Sequence, residues 1–253
     1  MRDIAGMSIL ITGGGSGLGA GAAKYFAARG ARVTICGRRA DKIKAVADDI
    51  GDACHAVVAD ITIADDRQRL VNAAVDHGDG LDALINNAAN MMRGPITDLD
   101  EQGLLDIFHS NVVSGMLLTG LATPHLEKDG GAVIFFGSVH TRRAFPSASP
   151  YAATKGAVEA LTKVLAAELG SKNIRVNCIV PGAILTEINQ RAGLFDDAAA
   201  AQRLNDMASS HVLGRIGTEI EIAEAIDYLI RAEWTTGAVL EVDGGLGLGL
   251  TNA

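Results

Sequence analysis

The chain has 253 residues, 48% of them hydrophobic, with a mean hydropathy of +0.22, enough to bury a large core in one α/β domain spanning 1–253. A formal net charge of −8 and a pI near 5.2 exclude a basic nucleic-acid surface and disfavour an acidic partner. The start, MRDIAGMSIL, carries no export signal, no run approaches membrane-spanning length, and the six histidines show no ligand spacing. The expectation is a cytoplasmic protein with no membrane segment and no metal. Cys36, Cys54 and Cys178 are far apart and lie in apolar strand-like segments, where they read as buried, reduced thiols.

Short apolar runs rich in Val and Ile predict strands at 8–12, 32–36, 56–59, 81–86, 132–136, 174–180 and 238–242. Between them, amphipathic spacing predicts helices over 18–29, 40–50, 64–77, 99–126, 150–169 and 219–231. Alternating strand and helix imply right-handed crossovers, hence a Rossmann-like, doubly wound, seven-stranded parallel sheet with helices on both faces. Ligands of such sheets sit beyond the carboxyl ends of the strands, so the loops after each strand are where function is sought.

The first of those loops is Thr12 to Gly19, TGGGSGLG, between a strand and a helix. Backbone approaches a pyrophosphate only where side chains are absent, and the following helix offers unpaired N–H groups and a positive dipole end. Glycine spacing alone fits either Gly15, Gly17 and Ala20 or Gly13, Gly17 and Gly19. After the second strand, where dinucleotide folds read the adenosine ribose, stand Gly37, Arg38 and Arg39. Two guanidiniums clamp a phosphate, which favours NADP(H); Asp41 keeps NAD(H) open. Asp60 follows the third strand, placed either to accept from an adenine amino group or to cap a helix.

Further on, Lys155 lies four positions after Tyr151, one helical turn away, with Ser138 upstream in the loop after the fifth strand. A phenol trades protons near neutrality only if its anion is stabilised. Moving it from about 10 to about 7 takes roughly 4 kcal/mol, which a nearby ammonium and a cationic cofactor ring can supply.

With these pieces in hand, the chain resembles the short-chain dehydrogenase/reductase family over nearly its whole length. Its TGGGSGLG is similar to that family's T-G-x-x-x-G-x-G turn, which selects Gly13, Gly17 and Gly19, with Ser16 and Leu18 between them. Asn86-Asn87-Ala88-Ala89 resembles N-N-A-G, with Ala89 in place of the usual Gly, and Asn111 matches the active-site Asn. Ser138, Tyr151 and Lys155 match the catalytic Ser and Y-x-x-x-K; Pro181-Gly182 with Ile184 and Thr186 resembles the segment along the nicotinamide. The VDGG at 242–245 is similar to the family's usual ending. The resemblance implies Tyr151 as general acid or base, Ser138 holding the substrate oxygen, Lys155 lowering the Tyr151 pKa and binding the ribose, and Asn111 fixing a relay water. It implies cofactor contacts from Ile61, Asn87 and Ala88 as well, and a homodimer or homotetramer.

Substrate is expected against Ser138, His140 and Tyr151, with Arg142 and Arg143 able to receive an anionic group or to serve a subunit contact. Met91, Met92, Ile184, Ile188, Leu194 and Phe195 are candidates for an apolar lining beneath a lid helix after Thr186. A medium-sized, partly hydrophobic ketone or secondary alcohol fits this composition. Alternatives are a 3-oxoacyl thioester reductase, an NAD-dependent alcohol or sugar dehydrogenase, and a dinucleotide sensor without turnover.

Overall fold

In the computed structural model, which describes residues 1–128, 130–186, 188, 202 and 206–249, seven parallel strands form one sheet. They are β1 (Ser8–Thr12), β2 (Arg32–Gly37), β3 (Cys54–Val58), β4 (Ala83–Asn86), β5 (Ala132–Phe136), β6 (Arg175–Pro181) and β7 (Val239–Val242), in the order β3-β2-β1-β4-β5-β6-β7. All seven expected strands lie within two residues of their places. β3 starts two residues earlier than its apolar run, since Cys54 and His55 pair with Val33 and Thr34 whatever their polarity.

Alternation along the strands splits the core in two. Ile9, Ile11, Val33, Ile35, Ile134 and Phe136 face one side of the sheet, under α1 (Gly17–Ala27), α2 (Ala40–Ile50) and α7 (Glu219–Arg231). Leu10, Cys36, Leu84, Val133 and Phe135 face the other, under α3 (Ala64–Gly78), α5 (Ser114–Leu126) and α6 (Ser149–Leu169). A sheet covered on both faces must draw its strands from near-continuous apolar runs, which is why they stood out in the sequence. Cys36 and Cys178 are buried thiols; Cys54, at a strand start, is half-buried.

The expected helix over 99–126 is broken up. A 3₁₀ turn at Ile96–Asp98 precedes α4 (Glu101–Phe108), and a π-turn over His109–Val113 separates α4 from α5. The cause is chemical. Ser110 and Asn111 are drawn inward to polar partners, Ser114 Oγ donates to the His109 carbonyl five residues back at 2.7 Å, and the ladder widens by one residue. By length and composition the stretch Glu101–Leu126 is apolar enough to cross a membrane, with 39% of its most apolar window buried. It carries exposed Leu105, Phe108, Val113, Met116 and Leu117 on its outer face.

Helix α7 begins with a capping box: Thr218 Oγ1 accepts from the Glu221 N–H, and the Glu221 carboxylate accepts from the Thr218 N–H at 2.8 Å. Arg215 and the Thr218 amide hold the Glu221 carboxyl down at about 2, against an ordinary 4.5. Its contribution to stability is therefore complete above about pH 4.5 and drains away as pH falls toward 2. Thr218→Ala should lower the unfolding free energy by about 1 kcal/mol, and Glu221→Gln should flatten the acid side of the stability profile; urea midpoints measured across this pH range check both.

Candidate active site

The winding of the sheet reverses between β1 and β4, and a crevice opens there beyond the strands' carboxyl ends. A cavity of about 250 Å³ fills it, lined by loops following β1 through β6. Gly13, Ser16, Gly17 and Leu18 come from the first; Arg38, Asp60 and Ile61 from the next two; Asn87 and Ala88 from the fourth. Ser138 and His140 follow β5, Tyr151 and Lys155 come from α6, and Pro181, Gly182, Ile184 and Thr186 follow β6.

The glycine turn is built for close backbone approach. A Cβ on Gly19 would sit 2.4 Å from the Gly13 carbonyl oxygen, and Gly17 has φ +52° with Thr186 facing it across the cleft. Gly19 thus works beneath the turn without lining the cavity. Helix α1 begins at Gly17; the Ser16 side chain does not cap it, and its first turn holds no acid. By contrast, α2, α3, α4 and α7 each open with acidic residues that complement their own dipoles. The one helix aimed at the crevice from the glycine turn leaves that role to an external anion. These residues fit the pyrophosphate of a dinucleotide.

At the end of β2, Arg39 Nη2 donates to Ser16 Oγ at 3.2 Å, and Arg38 Nη1 lies 3.9 Å from Asp60 Oδ2. Arg39 is the residue that caps α2, and the cavity lining includes Arg38 but not Arg39. Asp60 does not cap α3, whose N-cap is Ile63; it closes a turn onto the Thr62 amide and hydroxyl at 3.0 and 2.7 Å.

Around the reactive groups, Ser138 and Tyr151 both line the cavity, and Ser138 Oγ lies 3.0 Å from His140 Nδ1. Arg93 Nη2 lies 3.2 Å from His140 Nε2. Asn111 is buried off the main cavity: Nδ2 donates to the Asn90 carbonyl (2.9 Å) and Thr154 Oγ1 (3.1 Å), and Oδ1 accepts from the Asn90 N–H (2.8 Å) and Ser110 Oγ (3.1 Å).

A family model described as enoyl-(acyl carrier protein) reductase matches residues 13–247. L-fucose dehydrogenase of Bos taurus is 36% identical over 249 residues, covering 97% of this chain and 91% of that protein. The chain belongs to the short-chain dehydrogenase/reductase family. A 3-oxoacyl-[acyl-carrier-protein] reductase of Chlamydia muridarum is 33% identical over 94% of this chain and 96% of its own. Among solved structures, a 3-ketoacyl-(acyl-carrier-protein) reductase of Brucella melitensis complexed with NADH superposes with a TM-score of 0.88 at 33% identity, covering 96% of this chain and 99% of that one. This short-chain dehydrogenase/reductase is an oxidoreductase of CH–OH and C=O groups in small molecules, and its family binds NAD(P)(H).

Burial is the largest influence on both the phenol and the ammonium. Burial pushes the Tyr151 phenol up to about 12, opposed by the nearby Ser138 hydroxyl and the Arg93 charge, while burial brings the Lys155 ammonium down to about 8. Lys155 Nζ donates to the Phe136 carbonyl at 2.8 Å and sits 5.4 Å from the Tyr151 ring centroid.

The Asn111 side chain is thus held by Asn90, Thr154 and Ser110. Beside it lies a void of about 10 Å³, room for about one water, lined by Asn86, Ser110, Asn111 and Lys155. The Asn86 Oδ1 that borders it is buried without a hydrogen-bond partner among the described residues.

Arg142 is engaged by Glu159 (2.8 Å) and Glu241 (2.5 Å), a strap from this turn to α6 and β7. Neither Arg142 nor Arg143 lines the cavity, and Met92 does not either; Met91, Ile184 and Ile188 do. Leu194, Phe195 and the segment assigned as a lid lie outside the described residues. Arg93, Phe145 and Met207 line the cavity too, without local spacing that marks them in the sequence. Among the described residues, no group of His, Cys, Asp or Glu comes together to hold a metal.

Because a methyl at position 19 collides with the turn's own carbonyl, Gly19→Ala should weaken dinucleotide binding at least about tenfold, or about 1.4 kcal/mol. Fluorescence titration of the cofactor measures it.

Proposed function

We propose that the protein is an NADP(H)-dependent reductase of a medium-sized, partly apolar ketone, running in reverse as a secondary-alcohol dehydrogenase. The observation that carries this reading is that Ser138, Tyr151 and Lys155 line the same cavity as the glycine turn. In this reading Tyr151 passes its proton to the carbonyl oxygen as charge develops there, and Ser138 donates a hydrogen bond to the same oxygen. A phenol held near 12 stays protonated at neutral pH, which suits proton donation and hence reduction. The dinucleotide, when bound, supplies the hydride.

Lys155 and Asn87 would hold the ribose side of that dinucleotide, and Pro181, Gly182, Ile184 and Thr186 its nicotinamide end. The small void shared by Asn86, Asn111 and Lys155 supports a single-water proton path, with Asn86 Oδ1 as the acceptor that anchors it. Met91, Phe145, Ile184, Ile188 and Met207 give the cavity its apolar share, and Arg93 and His140 a polar wall.

NADP(H) is favoured by the cluster at the end of β2. Gly37 adds no charge, Arg38 reaches only a loose, exposed pairing with Asp60, and the Arg39–Ser16 contact sets a guanidinium beside a hydroxyl. A 2′-phosphate outcompetes a 3.9 Å surface ion pair, whose worth is under about 1 kcal/mol. A 3-oxoacyl thioester reductase is the second reading, motivated by relatives of that name. The exposed apolar face of α4 and α5, joined by Val164 of α6 at 54% exposure, supports a homodimer or homotetramer packed through it.

Tyr151→Phe should keep cofactor affinity and lose kcat by at least about 1000-fold, read spectrophotometrically against a ketone panel; near-normal kcat would refute the mechanism. Arg38→Ala should weaken NADPH by about tenfold or more while leaving NADH within about twofold, and equal effects on both would overturn the cofactor assignment.

A further inference from the structure

We infer that His140 is a positioning residue for Ser138, and that Arg93 holds it in the one neutral tautomer able to do this; the inference rests on the oxidoreductase reading. A guanidinium has donors only, so the 3.2 Å contact between Arg93 Nη2 and His140 Nε2 makes Nε2 the acceptor. The ring proton then sits on Nδ1. Nδ1 faces Ser138 Oγ at 3.0 Å, and its N–H donates to that oxygen. The His140 main-chain N–H donates to the same oxygen at 3.3 Å.

A hydroxyl that accepts two hydrogen bonds has one proton left to give, and Ser138 lines the cavity together with Tyr151. The result is a one-way series of donors: Arg93 to His140, His140 to Ser138, Ser138 to the reacting oxygens. In the opposite tautomer, Nδ1 would be a lone pair and would draw the Ser138 proton backward, away from the substrate oxygen.

The ring cannot easily turn out of this arrangement. Its centroid lies 4.4 Å from that of Phe145 and 5.2 Å, edge-on, from that of Tyr151. The turn that carries it, Val139–Thr141, is fastened by Thr141 Oγ1 to the Ser138 carbonyl (2.8 Å) and to Glu159 (2.5 Å). His140 neither gains nor loses a proton in turnover; it decides which way the Ser138 proton points.

Two measurements test this, one independent of turnover. In the ¹⁵N-labelled protein, His140 should show a protonated Nδ1 and a lone-pair Nε2, and Arg93→Met should move the ring toward a mixture of tautomers. In kinetics with the best ketone of the panel, His140→Ala should lower kcat by about 10- to 100-fold with dinucleotide affinity kept, which also reports folding. His140→Asn, whose amide N–H falls near the position of Nδ1, should recover most of the loss. An Nε2–H ring in the wild type, an unchanged kcat in His140→Ala, or equal losses in the Ala and Asn variants would overturn the inference. A wild-type protein that turns over no carbonyl or alcohol would instead remove the oxidoreductase reading, with the ring spectrum still deciding how His140 stands to Ser138.

Discussion

The crossing from β1 to β4 depends on one side-chain amide. Asn87 Nδ2 donates to the Thr12 carbonyl at 2.8 Å and the Gly13 carbonyl at 3.2 Å, while Thr12 Oγ1 accepts from the Ala88 N–H at 3.0 Å. These groups lie where both strands have run out of ladder, and an unmet buried polar group costs about 1–3 kcal/mol. The amide closes the accounts of two strand ends at once and sets the glycine turn against the loop leading to Asn90. Asn111 then grips Asn90 through both its N–H and its carbonyl, and ties that loop to Thr154 in α6. Thus the anion-binding turn and the helix carrying Tyr151 are held in one frame by two asparagines.

Much of that frame is buried, and burial governs the charges of Tyr151 and Lys155. Burial moves the Tyr151 and Lys155 equilibria in opposite directions, both toward the neutral form. A cleft that desolvates its own acid and base strengthens whatever charge is later brought into it, since the same low dielectric multiplies each new contact. Ligand binding and proton transfer are therefore coupled through solvent exclusion as much as through any single bond.

Much of this was legible in the sequence because parallel strands buried on both faces must be apolar throughout. The runs at Ser8–Thr12 and Ala132–Phe136 coincide with β1 and β5 residue for residue. The glycine turn, Ser138, Tyr151 and Lys155 were legible because their spacing is local and their residue types are rarely interchangeable. What escaped was contact at a distance. Arg93 reaches His140 across 47 positions, and Arg142 reaches Glu241 across 99, so neither pairing leaves a mark in local spacing. The π-turn escaped for a related reason: hydrophobic periodicity across 99–126 is blurred by one extra residue, and the demand that inserts it comes from Asn90 and Thr154, elsewhere in the chain.

The π-turn also bears on how this stretch of chain can change over generations. Each residue of an α-helix advances the side chains by about 100°, and the widened turn at His109–Val113 absorbs one such step while Asn111 points inward. Removing any one residue from α4 or the turn would give a more regular helix and a better ladder, yet it would swing either Asn111 or the whole apolar outer face out of phase. Replacement of side chains here leaves that phase alone. The phase of the segment accordingly depends on its length, which a substitution keeps and a deletion does not.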